Sequence, residues 1–169
     1  MKKWRKLNIF LIVVLLGFLL PEFPVVPVKG ATSKDWNAKS FWFEPWGKSG
    51  VHKGIDIFGK LDTPIVATTY GLVIFAGELP LGGNVVAVLG PKWRIHYYAH
   101  LNEDSVFIGK PVWRGAEIGL LGDTGNAKGK PAHLHYAVVS LLPYVWKIDG
   151  STQGWKKAFY LDPVHIITP

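Results

Sequence analysis

The positions of glycine and proline constrain the fold of this chain more than any other feature of its sequence. From about residue 41 onward, short runs of β-branched and aromatic residues are interrupted by glycine or proline at intervals of roughly eight to twelve positions. Such runs are typical of strands in a sandwich or barrel. No window between them has the length and periodicity of an amphipathic helix. We therefore predict an all-β domain, a compact antiparallel β-sandwich or barrel.

Seven runs are predicted to be strands, and two stretches between them are predicted to be turns or loops. The turns are residues 82–84 and 122–126, which are rich in glycine, asparagine and aspartate. Beyond residue 141 the pattern weakens into coil. The predicted strands are residues 54–58, 64–67, 71–76, 84–89, 94–100, 117–121 and 133–140.

The first 30 residues have the composition of an export signal. A basic start, residues 1–6, precedes residues 7–20, which are apolar except for Asn8. This apolar run is shorter than the roughly 20 residues of a spanning helix. We predict a signal peptide or membrane anchor at 1–30, with a cleaved signal favoured over a retained anchor. It would engage the membrane during export or as an anchor, and place the rest in the periplasm, cell wall or outside the cell. Residues 31–43 are predicted to be a linker and 44–169 the functional domain.

Composition narrows the chemistry that the domain can perform. The chain has no cysteine, which excludes disulfides, thiol nucleophiles and thiolate metal ligands, so a metal must be held by nitrogen and oxygen. The net charge is +7, but from residue 31 onward 14 basic and 11 acidic residues leave +3. This mild excess suits an anionic surface such as a cell wall and predicts no nucleic-acid partner. We expect a monomer.

Histidine and aspartate occur at spacings that suit one metal site. His133 and His135 are two residues apart in a predicted strand, so both point to the same face, about 6–7 Å apart. One ring of the pair can then bind a metal while the other stands beside its open position. His52 precedes another predicted strand, and Asp56 lies within that strand on its polar face. With one histidine of the 133/135 pair they make a His2Asp site with an open position, as in catalytic zinc sites.

Three motifs in order resemble the lysostaphin-type (LytM-type) zinc metallopeptidases of bacterial cell walls, which act on peptidoglycan. The resemblance covers about residues 44–165 and implies a duplicated hybrid motif-like β-fold. It implies a Zn²⁺ site formed by His52, Asp56 and His135, with His100 and His133 acting on the water and the transition state. The motifs are HKGID at 52–56, YAHL at 98–101, and GDTG at 122–125 leading to HLH at 133–135.

The resemblance implies an exported endopeptidase that cleaves peptide bonds in the stems or cross-links of peptidoglycan. Two alternatives stay open. The first is a zinc-binding but non-catalytic regulator of another cell-wall hydrolase, and the second is a zinc hydrolase of proteins or antimicrobial peptides outside the wall. The chain departs from the family at Ala137, where a glutamate is common, which removes a polar group near the ligands.

Four residues near the motifs have two interpretations each. Lys128 and Lys130 are predicted to be ordinary solvated lysines, with contact to substrate carboxylates as the alternative. By strand parity His96 shares a face with His100, so it can border the cleft, although we favour a neighbour without a chemical role. Trp46 is predicted either to wall the cleft or to pack in the core.

Overall fold

A computed structural model describes residues 2–168, with the side chains of Lys2 and Lys3 left out of the description. Two α-helices lie at the ends of the chain, α1 (Lys2–Leu19) and α2 (Val164–Ile167). Between them lie short 3-10 helices and nine strands. The strands are β1 (Ile55–Phe58), β2 (Pro64–Val66), β3 (Gly71–Leu79), β4 (Gly83–Leu89), β5 (Arg94–Asp104), β6 (Pro111–Val112), β7 (Glu117–Leu121), β8 (His133–Ser140) and β9 (Tyr160–Leu161).

All strand pairs are antiparallel, and the main path of the sheet runs β1-β8-β5-β4-β3-β6. The strands β2 and β7 pair with each other, β7 also pairs with β5, and β9 pairs with β8. The prediction of an all-β antiparallel fold is confirmed, and the sheet does not close into a barrel. All seven predicted strands are present, whereas β6 and β9, each of two residues, were not predicted.

One face of the sheet forms the core and the other carries the polar side chains. In β8, Leu134 and Tyr136 are fully buried in the core, together with Ile55 and Ile57 of β1. The intervening residues of both strands point to the opposite face, because side chains alternate along a strand. The predicted division of β8 into an apolar face and a histidine face is confirmed.

Residues 21–36 form a strap that lies along the edge of the sheet. The Val25 amide donates a hydrogen bond to the Thr68 carbonyl at 2.9 Å, and the Val66 amide donates to the Pro27 carbonyl at 2.8 Å. Val28 forms a bridge with Ile65 and is 2% exposed. The strap thus pairs with β2, an edge that would otherwise leave backbone groups unpaired.

The strap continues into the range that composition predicts to be a linker. Trp36 forms a bridge with Ile57 of β1 and is 8% exposed, within the core cluster. The Phe58 amide donates to the Asp35 carbonyl at 2.9 Å. The polar residues at 31–35 indicated only the absence of regular structure, and the contacts with β1 depend on residues farther along the chain.

Glu22 in the strap forms a buried ion pair with Arg94 at the start of β5. The Glu22 side chain is 3% exposed, and its other oxygen lies 3.4 Å from Nε2 of the buried His96. On its other side, Nδ1 of His96 lies 2.7 Å from the Tyr136 hydroxyl. The Glu22 carboxylate and the Tyr136 hydroxyl thus lie on opposite sides of the His96 ring, and this chain of polar contacts joins the strap to β8.

Helix α1 exposes apolar side chains on most of its surface, including Ile9, Phe10 and Leu16. It touches the domain where the Trp93 indole donates a hydrogen bond to the Val14 carbonyl at 2.9 Å. None of the helices between residues 2 and 168 has the length and apolar character that a membrane crossing requires.

We expect the Glu22→Ala substitution to lower the free energy of unfolding by about 1–3 kcal/mol, because Arg94 and His96 lose their carboxylate partner. Burial raises the pKa of Glu22, but the contact with His96 and the charges of Arg94 and Lys92 outweigh it and leave the pKa below 4.5. A group with a lowered pKa stabilises the fold above its unfolded pKa. The difference in unfolding free energy between wild type and variant is therefore largest above pH 4.5. It decreases as the pH falls through the lowered pKa of Glu22.

Urea unfolding of the full chain in mild detergent, followed by tryptophan fluorescence, measures this difference. The control is Glu78→Ala, which removes an exposed carboxylate from β3 and should change stability by less than about 0.5 kcal/mol. Equal stability of the two variants would show that the strap does not depend on this ion pair.

Candidate metal centre and cleft

Three potential ligand atoms, from His52, Asp56 and His135, meet at one point. Nε2 of His52 lies 3.1 Å from Asp56 Oδ1 and 3.1 Å from His135 Nδ1, and the last two atoms are 2.9 Å apart. Two ligands held at 2.0–2.1 Å from a tetrahedral zinc lie roughly 3.3 Å from each other. The spacing and the two-nitrogen, one-oxygen donor set therefore fit a single zinc ion with one position open. We call these residues the triad.

The register between β1 and β8 places two members of the triad side by side. Asp56 is directly opposite His135 in the antiparallel ladder. His52 reaches the same point from the segment before β1, past Gly54. A Cβ at Gly54 would lie 2.5 Å from the Tyr136 carbonyl oxygen and 3.0 Å from the His135 ring, so only glycine allows this approach.

The His52 ring is fixed from two sides. Its Nδ1 donates to the Ser40 carbonyl at 3.0 Å, which leaves the Nε2 lone pair for a metal. The Trp46 indole stacks on the ring, with centroids 4.0 Å apart and planes inclined by 20°. The side chain of His52 is fully buried. Trp46 also lines the cleft, as one of its two interpretations predicted.

Asp56 is held in its charged form. Burial raises the pKa of its carboxyl group, but the contacts with the His135 and His52 imidazoles outweigh burial and lower the pKa well below its ordinary value. A carboxylate must be deprotonated to bind a metal. Asp56 is therefore already deprotonated at neutral pH and can bind an ion without losing a proton.

His100 and His133 stand next to the triad, with ring centroids 5.1 Å apart. The centroid of His100 lies 6.1 Å from that of His135. Nδ1 of His100 lies 2.9 Å from the Thr124 carbonyl oxygen, and Nδ1 of His133 lies 2.8 Å from the Pro131 carbonyl oxygen. Because a carbonyl only accepts, both Nδ1 atoms carry protons, and in the neutral rings both Nε2 atoms are proton acceptors.

Burial lowers the pKa of His100 to about 4, and the charges of His133 and His135 lower it in the same direction. The ring is therefore neutral at pH 7. A neutral imidazole with an accepting Nε2 beside a metal position is suited to take a proton from a water molecule.

His100 reaches the cleft through a β-bulge in β5. The pairing of β4 with β5 shifts between Asn84 and Val86, whose partners Leu101 and Tyr98 are three residues apart. His100 has a φ of 68°. The extra residue turns the His100 side chain to the cleft, and backbone strain of this kind is common near functional sites.

The parity prediction for His96 is wrong for this reason. His96 lies on the core face, with none of its surface exposed, and contacts Glu22 and Tyr136. The alternation that relates His96 to Tyr98 is interrupted by the bulge before His100. The position of His100 thus depends on a backbone irregularity that strand parity does not include, and His96 does not share its face.

A cleft of about 1130 Å³ runs along β8 and contains all five predicted site residues, the triad with His100 and His133. Lys130 lines it and Lys128 does not. Ala137 lies on its floor, so the departure from the common glutamate leaves that place without a charge.

Tyr97 and Lys156 also line the cleft and were not predicted. Strand parity with His100 placed Tyr97 on the opposite face, and the bulge in β5 is what brings both side chains to the cleft. No signal was available for Lys156, because its position depends on the pairing of β9 with β8.

The sequence signature of Peptidase family M23 matches residues 50–145, a range that contains the triad, His100 and His133. The chain belongs to this family. M23 is a zinc metallopeptidase family, so the predicted family and its cofactor are confirmed. The individual roles of the five residues stay predictions.

The chain spans less than two fifths of the length of the curated relatives that it matches. It is 34% identical over 128 residues to the L-Ala–D-Glu endopeptidase of Bacillus subtilis (strain 168), which covers 70% of the chain but only 37% of that relative. Among solved structures, it resembles the catalytic domain of lysostaphin from Staphylococcus simulans, with a TM-score of 0.56, 27% identity and coverage of 72% of this chain and 83% of that one. A zinc-containing peptidase from Vibrio cholerae gives a TM-score of 0.53 at 29% identity, covering 69% and 35% of the two chains.

We expect zinc to stabilise the native chain and Asp56→Asn to abolish that stabilisation, because the amide leaves the triad without its anionic ligand. An ion that binds only the folded state adds about 2.7 kcal/mol at a free concentration 100 times its dissociation constant. The measurement is the increase in melting temperature when zinc is added to chelator-treated protein.

The matched control is Glu103→Gln, which makes the same chemical change at an exposed position of β5. It should keep the full zinc-dependent increase. If zinc raised the melting temperature of Asp56→Asn as much as that of the wild type, Asp56 would be excluded as a ligand.

Proposed function

We propose that this chain is an exported zinc endopeptidase that hydrolyses peptide bonds in the stems or cross-links of peptidoglycan. The observation that carries the proposal is the triad, with ligand atoms 2.9–3.1 Å apart, next to two imidazoles whose Nδ1 atoms are hydrogen-bonded. Their Nε2 atoms have no hydrogen-bond partner among residues 2–168. A non-catalytic zinc site needs the first feature but not the second. The mild positive charge of the domain suits an anionic wall.

In this proposal His52, Asp56 and His135 hold the zinc through Nε2, Oδ1 and Nδ1. Zinc in such a site supplies Lewis acidity, which lowers the pKa of water to about 7 and polarises a carbonyl. The protein contributes the orientation of the ligands through Ser40 and Trp46. It also contributes a groove in which a peptide lies along β8.

His100 and His133 move protons. His100 is neutral at pH 7 because its pKa is about 4, so its Nε2 takes a proton from the attacking water. His133 faces it across the site at a centroid distance of 5.1 Å. In its protonated form, His133 donates from Nε2 to the oxyanion or the departing amine, which needs a proton to leave.

We also propose that residues 1–20 direct export and stay joined to the domain through the strap. The basic start and the exposed apolar surface of α1 support an interaction with the membrane. Cleavage near residue 30 would remove Glu22 and Val28, which are buried against β5 and β2. These contacts favour the retained anchor over the cleaved signal.

The function is tested with the full chain and isolated peptidoglycan, followed by mass analysis of soluble fragments. We expect chelator-sensitive release of peptides with new amino and carboxyl ends. The variants His100→Ala and His133→Ala should lose about 10²–10⁴-fold in rate while still binding zinc, because they remove proton transfer and not a ligand. His135→Ala should lose both cleavage and zinc.

His165→Ala is the control, because its side chain is 85% exposed and lies outside the cleft. It should cleave like the wild type. Zinc-loaded, folded protein that releases nothing but stimulates a separate wall hydrolase would instead support the non-catalytic regulator. Cleavage of proteins but not of wall would point to a hydrolase that acts outside it.

A further inference from the structure

The cleft has positive side chains without matching negative ones. Four lysines line it, and among its lining residues within 2–168 the one carboxylate is Asp56, which belongs to the triad. Its lysines are Lys48, Lys53, Lys130 and Lys156. A groove with charges of one sign attracts ligands of the other sign.

Two of these lysines, Lys53 and Lys156, are half-buried and bound to neutral acceptors. Lys53 Nζ donates to the Ser49 carbonyl at 2.9 Å, and Lys156 Nζ donates to Gln153 Oε1 at 2.8 Å. Gln153 Nε2 donates at 2.9 Å to the same Ser49 carbonyl. Both ammonium groups are thus held on one set of hydrogen bonds that meets at the Ser49 carbonyl.

Neither ammonium group has a carboxylate partner in the part of the chain that the structure describes, whereas the next lysine does. Lys157 lies in the same 3-10 helix, Gly154–Ala158, and forms an ion pair with Asp149. Two half-buried cations without a counterion are unfavourable in isolation. An anion that binds between them would relieve this repulsion.

Lys53 and Lys156 lie beside the part of the cleft that is lined by the residues of β8 after His135. His135, Ala137 and Val139 line the cleft in alternation along β8, and Val139 pairs with Tyr160 of β9, directly after the helix that carries Lys156. Same-face positions on a strand are about 7 Å apart, so this wall stands roughly 7–13 Å from His135. An extended peptide covers that distance in about two to four residues.

We propose that Lys53 and Lys156 form a subsite for a carboxylate of the substrate peptide, two to four residues from the scissile bond. The subsite rests on the proposed peptidase function and specifies its substrate as an acidic peptide. The carboxylate takes charge-assisted hydrogen bonds from both ammonium groups, while Ala137 leaves the floor below free of opposing charge. A peptide made of glycine alone has no side-chain group for this position.

The test compares two cross-linked stem-peptide dimers that differ in one respect. One has free side-chain carboxylates, and the other has the corresponding carboxamides. For the full-length, zinc-loaded wild type we expect kcat/KM to be roughly five- to tenfold higher for the carboxylate form, as for a partly exposed charge pair. Lys156→Gln should reduce this preference to near unity, and added salt should reduce it in the wild type.

The matched control is Lys157→Gln, which removes the same charge from the adjacent position but outside the cleft lining, and should keep the preference. Zinc content is measured for each variant to exclude an effect on the triad. Equal kcat/KM for both peptides in the wild type, or an unchanged preference in Lys156→Gln, would overturn the subsite while leaving the peptidase function intact.

Binding separates the subsite from the proposed activity. If the wild type cleaves neither peptide, the proposed function fails, and calorimetry with the same two peptides still decides the subsite. Tighter binding of the carboxylate form, lost in Lys156→Gln and kept in Lys157→Gln, supports it. Equal affinities for the two peptides overturn it.

Discussion

The antiparallel pairing of β1 with β8 is the contact on which the candidate site depends. It sets Asp56 opposite His135 and leaves Ile55, Ile57, Leu134 and Tyr136 to fill the core from the other face. A slip of one residue in either strand would turn its polar side chains into the core and its apolar ones to the cleft. The energy of core packing therefore holds the metal ligands in place. Gly54 completes the arrangement, because the His52 segment can approach β8 only where no side chain intervenes.

The groups that act around the triad come from less regular parts of the backbone. His100 points to the cleft because a bulge adds one residue to β5, and carbonyl groups of the loops at Thr124 and Pro131 orient His100 and His133. The strap contacts the same strands from the core side, through Glu22, His96 and Tyr136. Tyr136 follows His135 directly, so the N-terminal strap and the site share β8 as a common support.

Local patterns predicted the parts of this structure that depend on local rules. Alternation in residues 133–140 predicted the two faces of β8, and the His and Asp spacings predicted which side chains share the cleft. Three features were beyond such rules. The bulge at His100 breaks parity without a sequence signal. The strap contacts depend on pairing between residues 28 and 65. Lys156 lies at the cleft because β9, the strand of two residues that follows its helix, pairs with β8. Each feature depends on contacts between segments that are far apart in the sequence, and the local periodicity of the sequence does not predict such contacts.

The most direct test of the account is the position of zinc in a crystal of the zinc-loaded protein, located by anomalous scattering at the zinc edge. The account predicts a single ion about 2.0–2.2 Å from His52 Nε2, Asp56 Oδ1 and His135 Nδ1, with His100 and His133 beside it but not bound. Zinc held by His100 or His133, or an empty triad in protein that contains stoichiometric zinc, would contradict it.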